Sequence, residues 1–249
     1  LDSLAACAKH YVGYGAAEGG RDYNTTLIPE GYLRDVYLPP FRACVEAGAA
    51  TLMSAFNDLN GVPASGNELT LRRILKKEWG FDGFVVSDWA SIDEMISHGY
   101  CANRREAARA ALRAGVDMEM VSPCYAEHLP DLVARGEVPL DWVDDAVRRI
   151  LRIKFRLGLF DRPFIEPRPG VLLNPAHLAT ARRLAAACCV LLKNDGVLPL
   201  DCGVRKLAAI GPLADAPAEQ MGCWTVDGLA RDVVTPLAAL REALAGRAE

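Results

Sequence analysis

The chain has 249 residues, 51% hydrophobic and 24% charged, with a formal net charge of −4. That is enough apolar material for a sizeable core, and the slightly acidic balance carries no electrostatic footprint for nucleic acid. Its basic clusters, Arg72-Arg73 with Lys76-Lys77 and Arg148-Arg149 with Arg152, fall at helical spacing among apolar residues and read as solvated helix faces. The longest uninterrupted apolar run, residues 184–192, is shorter than the roughly 20 residues a bilayer-spanning helix needs, so no membrane insertion is expected. The chain opens with Leu1-Asp2-Ser3, and any targeting signal is expected to lie outside it.

Taken in order, short apolar runs at 4–11, 50–56, 84–87 and 116–120 are each followed by a segment of helical period. This is the alternation of a parallel α/β fold, and the near-constant spacing of the later runs favours a (β/α) barrel over an open sheet. Helices are expected at 68–79, where Gly80 stops the pattern, at 91–98, at 104–114 before Gly115, and at 140–157 before Gly158. The stretch 161–170 then holds three prolines and reads as a semi-rigid connector. A further helix is expected at 175–187, followed by strand-like runs at 189–192 and 206–210. We therefore expect part of a barrel domain at 1–160, a linker at 161–174 and the start of a second domain at 175–249. Four barrel strands are half of what closure requires, which points to an internal piece of a longer protein.

The eight cysteines include no Cys-x-x-Cys pair and several lie in apolar segments, so buried free thiols are expected rather than a zinc site. The four histidines are scattered without His-x-x-x-His spacing, and no metal is expected.

Reactive groups of parallel α/β folds sit where strands end. Here the strand ends carry Lys9-His10, Asn57, Ser87-Asp88-Trp89 and Asp117 with Glu119. Asp88 is the first candidate. An Asp between a strand and a helical pattern is also where an N-cap sits, but a cap leaves the convergence of polar groups from four strands unexplained. A cation such as Lys9 beside Asp88 would hold it ionised, and the Trp89 indole offers a flat apolar face suited to a sugar ring. Asp117 and Glu119 are expected to pack or pair locally, because side chains alternate along a strand. Glu18 and Asp22 read as members of a solvated glycine-rich loop. Gly13, Gly15, Gly19 and Gly20 lack the spacing of a phosphate-binding loop.

The stretches Ala8-Lys9-His10-Tyr11, Met53-Ser54-Ala55-Phe56-Asn57, Gly80-Phe81-Asp82-Gly83 continuing through Ser87-Asp88-Trp89, Gly115-Val116-Asp117-Met118-Glu119-Met120, and Val190-Leu191-Leu192-Lys193-Asn194 occur in the order seen in glycoside hydrolase family 3. The resemblance covers essentially the whole chain and is greatest to periplasmic-type β-glucosidases. It implies an α/β fold made of the C-terminal half of a (β/α)8 TIM-type barrel followed by the start of an α/β sandwich domain. It also implies a retaining hydrolase of terminal nonreducing β-D-glucosides, with Asp88 as nucleophile of a covalent glycosyl-enzyme.

By the same resemblance, Lys9 and His10 hold hydroxyls of the terminal sugar, and Met53, Phe56 and Trp89 shape its subsite. Met53 and Phe56 at a strand end are equally readable as core residues. Phe56 stands where many members have a tyrosine that touches the nucleophile, so one hydrogen bond to Asp88 is absent. The substrate implied is an oligosaccharide or glucoside, no cofactor is called for, and the location implied is periplasmic or secreted. The family's acid/base, commonly a Glu of the second domain, matches nothing in this chain. The isolated segment is therefore expected to be inactive, and a carbohydrate-binding piece without catalysis is the alternative reading. A β-xylosidase is a further alternative. A β-N-acetylhexosaminidase is disfavoured, because the loop after His10 has no histidine to serve as its acid/base.

Overall fold

The computed structural model describes residues 4–164, 166, 169–201 and 203–246. Its internal contacts divide the chain into two units, Leu1–Pro167 and Arg168–Glu249.

In the first unit the strands are β1 (Cys7–Tyr11), β2 (Thr51–Ser54), a hairpin of β3 (Asp58–Leu59) and β4 (Val62–Pro63), and β5 (Phe84–Val86). Three of them form a parallel sheet in the order β1-β2-β5. Leu52 pairs with Ala8 on one side and Val85 on the other, and Leu52 and Val85 are fully buried. Burial on both faces is what a parallel sheet flanked by helices demands, and it explains the unbroken apolar runs. Gly83 lets β5 start hard against the chain entering β2, since a Cβ there would collide with the Ala50 carbonyl.

The fourth run also lies along β5. Asp117 N and Met118 N donate to Val85 O at 2.9 and 3.0 Å, and Ser87 N donates to Met118 O at 2.9 Å. It is one parallel bridge, Val86 to Met118, rather than the expected strand over 116–120. The chain turns away at once, with Val121 in the left-handed region at φ 71.

The longer helices of this unit are α1 (Leu38–Glu46), α2 (Leu69–Glu78), α3 (Arg104–Ala114), α4 (Cys124–Ala134) and α5 (Leu140–Arg156). The coil of α2 is wide, of the i to i+5 type, and buries Leu71, Ile74 and Leu75 against the sheet. For α3 the expected bounds are met because both ends are chemically marked. Asn103 Oδ1 accepts from Glu106 N at 3.0 Å, Glu106 Oε2 accepts from Ala102 N at 3.0 Å, and Gly115 closes the helix at φ 112. The pattern at 91–98 forms only a short 3-10 turn, Asp93–Met95, which buries Ile92 and Met95.

Two expectations are corrected here. Lys76 is not on a solvated face: it is buried, with its Nζ 2.6 Å from Asp117 Oδ1. The wide coil of α2 carries Lys76 round with Ile74 and Leu75, and a buried carboxylate 41 positions away supplies its partner. Among the described cysteines only Cys101 and Cys124 are buried, whereas Cys7, Cys44, Cys188, Cys189 and Cys223 are exposed. An apolar neighbourhood in sequence does not bury a thiol on the outer side of a helix or at a sheet edge.

The second unit carries α6 (Pro175–Ala187), α7 (Pro217–Gln220) and α8 (Pro236–Ala243). Each has proline in its first turn, and Asn174 and Thr235 cap α6 and α8 through bonds to Ala176 N and Ala238 N. The runs 189–192 and 206–210, expected as strands, are not paired among the described residues, and Val190, Leu192 and Ile210 are largely exposed. A strand exists only where a neighbour takes its backbone donors and acceptors, and none does so here. Within the expected linker, residues 165, 167 and 168 lie outside the described set, as does Cys202.

Candidate active site

Asp88 follows β5 at the end of the sheet toward which all three parallel strands run. Its position is clamped from both sides. Met120 N donates to Ser87 Oγ at 2.8 Å and Ala90 N donates to Met120 O at 3.0 Å, tying the turn after β5 to the adjoining 116–120 segment. Asp88 Oδ1 accepts from the Trp89 backbone N at 2.7 Å. Asp88 Oδ2 is buried and has no hydrogen-bond partner among the described residues. This is not a helix cap, which would spend its oxygen on an amide two or three residues on. A buried carboxylate oxygen left open is rare and costly, and it is the arrangement that an attacking atom requires.

His10, near the end of β1, brings its Nε2 to 3.4 Å from Asp88 Oδ2, without the alignment of a hydrogen bond. Burial lowers the imidazole's proton affinity and outweighs the attraction of Asp88, so His10 is mainly neutral at pH 7. Lys9 is exposed and makes no ion pair among the described residues, and its charge acts on His10. Trp89 is 60% exposed, its ring free beside the carboxylate while its amide holds it. Phe56 and Met53 are half-buried, and Met53 lies in register with Val86.

Phe56 anchors a row of aromatic rings. Tyr23 packs on it at 4.5 Å between centroids, Tyr14 lies 6.0 Å away on its other contact, and Tyr14 reaches His10 at 5.0 Å. Tyr14 and Tyr23 come from the glycine-rich loop after β1, which is pinned in place. Thr26 N and Thr26 Oγ1 both donate to Asp58 O, and Asn60 brackets Ile28 through its Oδ1 and Nδ2 at 2.8 Å each. The same loop brings Asp22 into the field of the site, where burial, reinforced by Asp22, holds the Tyr14 hydroxyl well above its ordinary range. Asp22 itself is exposed, as a residue of a solvated loop.

On the turn following Asp88, Glu94 has a buried Oε2 without a partner among the described residues. Burial raises its proton affinity, and the charges of Asp88 and Asp22 add to that. His98, four residues on, places Nε2 3.0 Å from Phe56 O. Sequence reading gave no role to Tyr14, Tyr23, Glu94 or His98. A usable signal was present in the two tyrosines and an acid within 13 residues after His10, and in the four-residue spacing of Glu94 and His98 after Asp88.

Three other strand-end groups do not join the site. Asn57 Nδ2 donates to Thr26 Oγ1 at 3.0 Å and to Asp58 O at 3.1 Å, so it pins the loop. Asp117 takes Lys76 Nζ at 2.6 Å and Val85 N at 2.8 Å. Glu119 accepts from Ser122 Oγ at 2.6 Å, Cys124 N at 3.0 Å and Tyr125 N at 2.7 Å, tying down the start of α4.

Comparison with known proteins identifies the family. Residues 2–153 match the glycosyl hydrolase family 3 N-terminal domain and residues 189–248 its C-terminal domain. The periplasmic β-glucosidase of Salmonella typhimurium is 39% identical over 97% of this chain and 32% of its own length. A β-xylosidase of Formosa agariphila is 38% identical over 90% of this chain and 33% of its own. The crystal structure of a Listeria innocua β-glucosidase in complex with glucose superposes with a TM-score of 0.88 at 38% identity, covering 99% of this chain and 34% of that one. The chain thus spans about a third of the length of the relatives it matches. With both domain models matched in order, the chain belongs to glycosyl hydrolase family 3.

Proposed function

We propose that the intact protein is a retaining β-glucosidase in which Asp88 is the nucleophile. The observation that carries this reading is Asp88 itself: a buried carboxylate at a strand end, one oxygen held by the Trp89 amide and the other open beside His10. In the first step Asp88 Oδ2 forms a bond to the anomeric carbon as the glycosidic C–O bond breaks, and the leaving oxygen takes a proton from a carboxylic acid. In the second step that group, now a carboxylate, removes a proton from water. The water oxygen bonds to the anomeric carbon and Asp88 is released with the configuration retained.

His10, neutral and packed against Tyr14, is suited to donate to sugar hydroxyls, and Lys9 completes that pair. Trp89 offers the sugar a flat wall, with Met53 and Phe56 behind it. Asp117 and Glu119 are committed to structural bonds, so we assign the acid to a glutamate of the C-terminal domain, outside this segment. The segment made alone should then hydrolyse cellobiose at no useful rate.

We further propose that residues 1–160 form the C-terminal half of a (β/α)8 barrel, that 161–174 link it onward and that 175–249 begin an α/β sandwich. The likeness to family 3 β-glucosidase structures supports this reading. A periplasmic or secreted location is supported by the name of the Salmonella relative, and no described helix is long and apolar enough to cross a membrane. A β-xylosidase is the second reading, favoured by the Formosa relative.

The test is to treat the intact protein with a 2-deoxy-2-fluoro-β-glucoside and map the trapped peptide. Label on Asp88 is expected, and label on another residue overturns the assignment. Comparing kcat/KM for aryl β-glucoside and β-xyloside decides between the two substrate readings.

A further inference from the structure

Three buried hydroxyls meet beside the Asp88 turn, and the reaction as described has no use for them. Ser54 ends β2, Ser65 sits in the short turn Ala64–Gly66 after β4, and Ser91 follows Asp88 by three residues. Their side chains form a chain: Ser65 Oγ lies 2.8 Å from Ser54 Oγ and 2.8 Å from Ser91 Oγ, and the three residues are 0%, 1% and 5% exposed in the order Ser54, Ser65, Ser91. We propose that these serines are positioning residues for the nucleophile, and that their hydroxyl chain ties the turn carrying Asp88 to the end of β2. The proposal rests on the reading of Asp88 as nucleophile and adds to it what keeps that carboxylate aimed at the anomeric carbon.

The turn needs such a hold. Ser91 N donates to Asp88 O at 3.1 Å, closing a turn in which Ala90 lies in the left-handed region at φ 55. That conformation is costly for a residue with a Cβ and persists only where the surroundings impose it. One hold is Met120 O, which accepts from Ala90 N at 3.0 Å. The second comes through the Ser91 side chain, which reaches Ser65. Gly66 makes that reach possible: a Cβ there would lie 3.0 Å from Met95 Sδ and Tyr100 Cε1, so glycine lets the turn bearing Ser65 come down on the segment that follows Ser91.

Stability alone does not account for the chain. Buried hydroxyls that bond only to one another gain little over apolar groups of the same shape, so alanine at all three positions would serve a core equally well. What the hydroxyls give is direction. A hydrogen bond of this length admits a narrow range of distance and angle, whereas apolar contacts tolerate sliding. Reaction at carbon needs that precision, since a misplacement of about 1 Å can cost about 10²-fold in rate.

The test uses the intact protein and three variants: Ser65→Ala, Ser91→Ala, and the triple Ser54→Ala, Ser65→Ala, Ser91→Ala. For each we would measure the maximal rate constant for labelling of Asp88 by 2,4-dinitrophenyl 2-deoxy-2-fluoro-β-glucoside, the inhibition constant of glucose, and the urea midpoint of unfolding. Ser65→Ala removes both bonds and should slow labelling by about tenfold with the glucose constant within twofold of the parent, because a misaimed carboxylate weakens the transition state more than the bound sugar. Its urea midpoint should also fall, since two buried hydroxyls lose their partner. The triple variant separates positioning from stability: it orphans no hydroxyl of the chain, so the midpoint should return toward the parent value while labelling stays slow. Labelling of the triple variant within twofold of the parent shows that the serines are structural only and overturns the proposal, with the nucleophile reading left standing. Label on a residue other than Asp88 in the parent protein overturns both. If the triple variant does not fold, Ser91→Ala, which keeps the Ser54–Ser65 bond and cuts only the link to the Asp88 turn, decides: about tenfold slower labelling supports the proposal and a rate within twofold of the parent overturns it.

Discussion

Asp88 and Asp117 stand at the ends of adjacent chain segments, each 7% exposed, and the fold treats them in opposite ways. Asp117 is fully engaged, with Lys76 Nζ on one oxygen and the Val85 amide on the other. Burial pulls the Lys76 ammonium down to about 8 and pushes Asp117 up, and their 2.6 Å contact opposes both trends. Asp88 is given one amide and keeps an open, buried oxygen. Both carboxylates are buried, so burial alone is not what separates a structural carboxylate from a reactive one. The difference is whether its acceptors are spent. A site that must bond to carbon gives up the satisfaction that Asp117 obtains, and local rules of stability fail where chemistry is done.

The largest effect should come from Asp88. Asp88→Asn in the intact protein should cut kcat on the order of 10⁴-fold, as loss of a nucleophile does. Its stability should be unchanged or higher, because an uncompensated buried carboxylate oxygen is removed. Steady-state rates and urea unfolding check the two halves, and a marked loss of stability would show that Asp88 is structural after all.

Next is its counterpart. Lys76→Met leaves Asp117 buried and unpaired and should cost about 3–5 kcal/mol of unfolding free energy. Lys76→Met combined with Asp117→Asn should recover much of that loss, since two neutral groups need no mutual compensation. Urea titration of the single and double variants reads this coupling. Additive losses would mean that the pair does not act as a unit.

His10 links the two behaviours. His10→Gln should lower kcat/KM by about 10²-fold, because contacts to sugar hydroxyls strengthen as the ring flattens in the transition state. Burial, its largest influence, places the folded imidazole below the ordinary 6.5, so between those two values the unfolded chain binds more protons than the folded one. Wild-type stability relative to His10→Gln should therefore rise with pH through that window, be fully present above about 6.5 and be lost as pH falls. Unfolding midpoints measured from pH 4 to 8 check the sign, and a difference that declines with rising pH would contradict it.

How much of this was readable beforehand depended on how local each signal was. The three parallel strands and α3 announce themselves through apolar runs, an Asn-x-x-Glu start and a glycine stop, all within a dozen residues. Asp88 was legible for the same reason, since a carboxylate directly after a buried run must lie at a strand end. Lys76 was misread because its partner is 41 positions away, and only the packing of α2 on the sheet brings them together. Tyr14, Asp22 and Tyr23 were not read as a group, because their loop is shaped by bonds from Asp58 and Asn60, more than 30 residues downstream of Thr26 and Ile28. The unpaired runs 189–192 and 206–210 show the same limit from the other side: apolar character permits a strand, and only a neighbouring backbone makes one.

The smallest expected effect sharpens the account of Asp88. Trp89 contributes two separable things, a backbone amide on Oδ1 and an indole that is mostly exposed beside the carboxylate. Trp89→Ala keeps the amide and removes the ring. The nucleophile should stay in place, and kcat/KM for glucosides should fall by about 3- to 10-fold, the worth of one aromatic face on a sugar ring. Stability should move by no more than about 0.5 kcal/mol, since an exposed ring buries little in the folded chain. Trp89→Phe should restore most of the rate. If alanine instead costs as much as the loss of His10, the indole is not merely a wall, and the orientation of Asp88 depends on the ring as well as on the amide.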